Sequence, residues 1–177
     1  MKKILFLTLF LIMGVYAMTT EAMAGDPENT LYLELATGRV EIELRPDLAP
    51  KHVARIKELV RQKYYDGIIF HRVIAGFMAQ TGDPTGTGRG GSGTKIPGEF
   101  SNELFERGTI GMARTNDPNS GDSQFFICFA PAHFLNGQYT VWGKVTKGME
   151  LVDGIAKGEP PAKPDKIVSL RVAADAE

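Results

Sequence analysis

The sequence predicts an all-β domain, a barrel or a sandwich, with two helices placed to plug open ends. Three observations carry this. Two adjacent runs near residue 30 alternate apolar and polar side chains. Short apolar, strand-like runs then recur at intervals to the C-terminus, and only two segments have helical spacing. Many short strands with few helices bury their apolar faces best as a packed or closed sheet.

The elements follow in order. Leu31-Tyr32-Leu33-Glu34-Leu35 and Val40-Glu41-Ile42-Glu43-Leu44, separated by Thr37-Gly38, predict a hairpin with one buried face. Pro50 opens a helix whose Val53, Ile56 and Val60 share a face. Strands are expected at Ile68–Ile74, Phe77–Gln80, Gly108–Ala113, Gln124–Phe129, Tyr139–Val145 and Lys166–Val172. A second short helix fits Met149–Ile155, with Leu151, Val152 and Ile155 on one side. The Gly/Pro-rich stretch Thr81–Gly98 is read as a long surface loop, because strand-like sequence resumes on both sides.

Composition narrows the function. The chain has 177 residues and a net charge of -1, so nothing points to nucleic acid or an acidic membrane surface. Lys2 and Lys3, the apolar run Ile4–Ala17 and the small-x-small triplet Ala22-Met23-Ala24 have the form of a cleaved export signal. The expected division is therefore a signal peptide over residues 1–24 and one domain over residues 25–177. A membrane anchor would need roughly 20 apolar residues, so no stable insertion is expected after cleavage. The single cysteine, Cys128, lies in an apolar run and is read as a small buried hydrophobe.

Several chemistries find no support. Gly86-Thr87-Gly88-Arg89-Gly90-Gly91 matches a dinucleotide-binding pattern, but no helix follows to meet a pyrophosphate. His52, His71 and His133 lack metal-ligand spacing, and no serine sits in a nucleophile elbow. Neither a metal nor an organic cofactor is expected.

The distinctive block is Phe70-His71-Arg72-Val73-Ile74-Ala75-Gly76-Phe77-Met78-Ala79-Gln80-Thr81-Gly82-Asp83. It resembles the cyclophilin signature F-H-R-x-I-x-G-F-M-x-Q-x-G-D. Gly111-Met112-Ala113 with Ser123-Gln124-Phe125-Phe126-Ile127 is similar to the family's G-x-x-x-M-A…S-Q-F-F-I. Phe134-Leu135-Asn136-Gly137 with Val141-Trp142-Gly143-Lys144-Val145 resembles W/F-L-D/N-G…V-F-G-x-V. The resemblance spans Leu31 to Val172 and departs at three places. Ala75 stands where the family usually has proline. Phe134 and Tyr139 stand where many eukaryotic members have tryptophan and histidine, as in exported bacterial members. The segment Arg114–Asp122 is slightly longer than the common form.

The resemblance implies a closed eight-stranded antiparallel barrel capped by two helices, and peptidyl-prolyl cis-trans isomerase activity. It implies Arg72 as the catalytic residue, with Gln80 holding the substrate carbonyl or the guanidinium. Phe77, Met78, Phe126, Leu135 and Tyr139 would form the proline pocket, with Phe134 in the tryptophan's place. Ala113, Arg114 and Gln124 would bind the peptide, Arg114 through its main chain. Phe125 is expected to point to the other face of its strand, into the core. His71, Gly76 and Gly82 are read as structural. Expected partners are proline-containing segments of unfolded or exported proteins, handled by a monomer. The expected compartment is a bacterial periplasm, with secretion to the medium as the alternative. A non-catalytic proline-binding chaperone and a small-ligand barrel are the competing readings.

Overall fold

The structure, a computed structural model, describes residues 25–176, so the expected signal peptide lies outside the described residues. Eight antiparallel strands form one curled sheet: β1 Thr30–Leu35, β2 Gly38–Leu44, β3 Arg72–Ile74, β4 Met78–Thr81, β5 Thr109–Met112, β6 Phe125–Cys128, β7 Val141–Lys147 and β8 Ser169–Val172. Their spatial order is β3-β4-β6-β5-β7-β2-β1-β8. Two helices, α1 Pro50–Arg61 and α2 Met149–Asp153, pack against it. Among the described residues, no helix is long and apolar enough to cross a membrane.

The alternation seen in sequence becomes two apolar clusters on opposite faces of the sheet. Leu31, Leu33, Val40, Ile42, Ile110, Phe125, Ile127 and Trp142 point inward and are fully buried, joined by Ile56 of α1. The outward side chains Met78, Phe126, Cys128 and Val141 form a second cluster with Phe105, Ala132 and Leu135. The filled interior leaves the small-ligand barrel without its cavity. Cys128 is buried as expected, and burial pushes its thiol up to about 12, so it stays protonated and inert.

Helix α1 starts at Pro50, but Ala49 offers no side-chain cap. Glu99 supplies one from a distant loop. Its carboxylate accepts from the amides of Lys51 (3.0 Å) and His52 (2.9 Å) and from the His52 ring at 2.6 Å. Two orphan amides and a buried imidazole are thereby satisfied together.

The barrel is not closed, which corrects the architecture implied by resemblance. β3 and β8 are the two edges of an open half-barrel. The free edge of β3 is taken by a loop: Val73 donates to the Gly158 carbonyl at 2.8 Å, and Gly158 donates back at 2.9 Å. The residues preceding β3 and β8 meet around an isolated bridge, Ile69 to Lys166, where Gly67 donates to the Ile167 carbonyl at 2.8 Å, Ile167 to the Ile68 carbonyl at 2.9 Å and Phe70 to the Asp165 carbonyl at 2.9 Å. The strands expected over Ile68–Ile74 and Lys166–Val172 are shorter, Arg72–Ile74 and Ser169–Val172, because their first halves pair with each other in a single bridge that does not extend into a ladder.

Candidate functional site

The sheet register assembles the site as one transverse row. Arg72 lies opposite Gln80, Gln80 opposite Phe126, Phe126 opposite Gly111, and Gly111 opposite Val141. Residues directly opposite across strands share a face, so these side chains line up on the outer surface. Gly111 is required there. A Cβ at that position would fall 2.4 Å from Phe126 Cζ and 2.7 Å from Phe105 Cε1. Its absence lets the Phe126 ring lie over the sheet, 5.7 Å from the Phe105 ring and stacked on it.

Around that row is a concavity of about 290 Å³, lined by Arg72, Phe77, Met78, Gln80, Ala113, Arg114, Phe126, Phe134, Leu135 and Tyr139. Met78, Phe126 and Leu135 are buried and form its floor. Phe134 stands at the rim, 65% exposed, with its ring 5.3 Å from Phe77. Tyr139 closes another side, edge-on to Phe126 at 5.9 Å. The Arg114 guanidinium lies 4.4 Å from the Tyr139 ring centroid and donates to the Gln138 carbonyl at 2.8 Å. Its side chain is thus held as a wall of the site.

The polar half is a relay of donors. Arg72 Nη1 makes a long contact, 3.5 Å, to Gln80 Oε1. Gln80 Nε2 donates to Gln124 Oε1 at 2.9 Å, and Gln124 Nε2 donates to the carbonyls of Gly88 (3.1 Å) and Gly90 (2.8 Å). Gln80 is therefore oriented with its oxygen toward Arg72 and its amide toward Gln124. Arg72 Nε donates to Glu159 Oε2 at 2.8 Å. His71, next to Arg72, is buried; burial lowers its pKa, against the pull of Asp83, and keeps it neutral at pH 7.

Gln124 lines a second concavity of about 300 Å³ that shares Gln80, Ala113 and Arg114 with the first. Gly88, Arg89, Gly90, Lys95, Thr115, Ser120 and Asp122 complete it. Asp122 is engaged by Ser92, the Gly93 amide and Lys95. The sequence reading missed Arg89, Lys95 and Glu159. They belong to loops without apolar periodicity, and only the fold brings them beside the row. Gly82, read as structural, is at φ +89°, and a Cβ there would fall 2.3 Å from the Ser123 carbonyl.

The arrangement pairs an apolar, ring-sized floor with a positioned guanidinium. The comparisons agree with that chemistry. The family model for cyclophilin type peptidyl-prolyl cis-trans isomerase/CLD matches residues 30–172. A probable peptidyl-prolyl cis-trans isomerase of Brucella suis is 52% identical, over 94% of this chain and 93% of that protein. Peptidyl-prolyl cis-trans isomerase B of Bacillus subtilis is 43% identical, over 74% of this chain and 93% of its own length. Among solved structures, the cyclophilin AquaCyp293 of Hirschia baltica superposes with a TM-score of 0.79 at 33% identity, covering 86% of this chain and 76% of that one. A cyclophilin type isomerase of Cryptosporidium parvum, crystallised in the presence of the dipeptide Ala-Pro, gives 0.75 at 30% identity, over 81% and 98% of the two chains. With the family model matching from β1 to the end of β8, the chain belongs to the cyclophilin-type peptidyl-prolyl cis-trans isomerases.

Proposed function

We propose that Arg72 is the catalytic residue and that the enzyme acts on proline-containing segments of exported proteins. The observation that carries this is the row itself, which sets the Arg72 guanidinium beside an apolar floor made by Met78, Phe126 and Leu135. The Cryptosporidium relative was crystallised in the presence of the dipeptide Ala-Pro, a ligand of the class proposed here.

The barrier to X-Pro rotation is amide resonance, roughly 18–20 kcal/mol. Twisting the bond localises the lone pair on the proline nitrogen, which becomes pyramidal and accepts a hydrogen bond. The apolar floor holds the proline ring while the acyl side turns. Arg72 then donates to the nitrogen in the twisted state and not in the planar one, so its contribution falls on the transition state. Gln80 steadies the guanidinium through its oxygen. No proton moves and no covalent bond forms.

Arg72→Ala is expected to lower kcat for an Ala-Pro peptide by about 10²–10³, as for other preorganised donors, with KM little changed. Arg72→Lys rescues little, because a point charge on a flexible stem lacks the planar donor set. Phe126→Ala contrasts with both: KM rises and the fold loses about 3 kcal/mol from the emptied floor. Near-normal kcat in a folded Arg72→Ala protein, with circular dichroism as the check, sinks the assignment and promotes a proline-binding chaperone.

The export half rests on Lys2, Lys3, the apolar run and Ala22-Met23-Ala24. The protein isolated from the periplasm of its host is expected to begin at Gly25 by mass spectrometry. A cytoplasmic protein retaining Lys2 overturns export.

A further inference from the structure

We propose that Glu159 is a positioning residue for catalysis, holding the Arg72 guanidinium in the plane from which it reaches the substrate; this rests on the reading of Arg72 as the catalytic donor. Arg72 sits on the edge strand β3 with its side chain 42% exposed. A long side chain at such a place is free to sample many rotamers, and that freedom has to be lost in the transition state unless it is already gone. Glu159 lies 87 positions later in the chain, yet its Oε2 accepts from Arg72 Nε at 2.8 Å. The contact takes the inner nitrogen and leaves Nη1 and Nη2 for Gln80 and the peptide. Two fixed points, Nε on Glu159 and Nη1 toward Gln80, define the plane of the guanidinium.

The loop that carries Glu159 is anchored to the same strand. Gly158, the preceding residue, makes both of its backbone hydrogen bonds to Val73, the neighbour of Arg72. Backbone and side-chain contacts therefore reference one another over two adjacent residues on each segment. The tight turn depends on glycine: Gly158 has φ +147°, and a Cβ would fall 2.6 Å from Pro161 Cα. The neighbouring cation, Lys157, is engaged elsewhere, donating to the Ile155 carbonyl at 2.6 Å with its ammonium 4.7 Å from the Phe129 ring centroid. Both partners of the Arg72–Glu159 pair are exposed, and exposed ion pairs contribute little to stability. Its effect therefore belongs in the rate, not in the fold.

The test measures kcat and KM on an Ala-Pro peptide by exchange NMR for the wild type, Glu159→Ala, Glu159→Gln, Arg72→Ala and the double variant Arg72→Ala/Glu159→Ala. Glu159→Ala is expected to lower kcat roughly tenfold, with KM within about twofold, because a small misplacement of a reacting group carries penalties of that order. The melting temperature moves by less than about 2 °C. Glu159→Gln keeps an acceptor of the same reach and recovers most of the loss. In the Arg72→Ala background, removing Glu159 changes nothing further, since the two act as one unit. Wild-type kcat in Glu159→Ala, or a loss that persists without Arg72, overturns the positioning role while leaving Arg72 as the catalytic donor. Normal kcat in Arg72→Ala overturns both.

Discussion

Phe134 shows how one residue sets the character of the site. Its ring stands at the rim, largely exposed and tilted against Phe77, and it presents carbon and no donor. The cyclophilin resemblance implies that members with tryptophan here donate the indole N–H to cyclosporin. Trp142 cannot take over that role, because it is fully buried on the opposite face, edge-on to Phe125 at 5.3 Å. Phe134→Trp is expected to strengthen inhibition by cyclosporin three- to tenfold, roughly the 0.5–1.5 kcal/mol of one neutral hydrogen bond. Inhibition constants for the two proteins check this, and an unchanged constant removes Phe134 from the drug's contacts. The same scale explains what sequence reading could and could not see. Phe125 and Phe126 are neighbours of identical type, and alternation along the strand sent one inward and the other outward. Glu159 had no such signal, since a glutamate between Gly158 and Pro160 looks like any loop residue.

At the scale of elements, the site is a property of strand register. Five strands, in the spatial order β3-β4-β6-β5-β7, contribute one residue each to the row from Arg72 to Val141. A slip of one residue in any of them would turn its contribution into the core. Gly111 is the point where packing is tightest. Gly111→Ala is expected to push the Phe126 ring off the sheet, raising KM for proline peptides and lowering stability by about 1–3 kcal/mol. Steady-state kinetics and urea denaturation measure the two effects, and unchanged KM shows that Phe126 has somewhere else to go. The helices were legible: Pro50 and the Val53, Ile56, Val60 spacing placed α1, and Leu151, Val152 and Ile155 placed α2, although that helix ends at Asp153 and Ile155 lies beyond it. The seam of the sheet was not. Apolar runs such as Ile68–Ile74 read as continuous strands, but their partners on this side, Asp165 and Ile167 for the first half and Gly158 for Val73, lie far away in the chain.

For the whole molecule, the histidines and carboxylates with lowered pKa values tilt stability the same way with pH. His52 and His71 have lowered pKa values, chiefly from burial. The unfolded chain binds their protons first, so stability declines as pH drops below about 6.5. Burial pushes the Asp83 carboxyl up, but the Thr85 hydroxyl and the amides of Thr85, Gly90 and Gly88 outweigh it and hold it at about 2. Asp66 is also held low, first by its hydrogen bond to Arg171. A depressed carboxylate contributes fully above its unfolded value and loses that contribution as pH falls through the folded one, here from about 4 toward 2. Urea midpoints are therefore expected to fall in two stages on acidification. Asp83→Asn should lower the midpoint at pH 7 and flatten the second stage. A second stage as steep as in the wild type would show that Asp83 does not drive it.

The sequence alone determined the β-rich class and the inward and outward sides of most strands, and its motifs, through their resemblance to the cyclophilins, named the residues that line the first concavity. These are local properties: a period of two, a proline at a helix start, and motifs whose residues stay close along the chain. Tertiary structure alone decided that the sheet stays open at the β3–β8 seam, that Glu99 caps α1, and that Glu159 meets Arg72. Each of these joins segments dozens of residues apart, and each satisfies a backbone group or a charge whose partner no local pattern specifies.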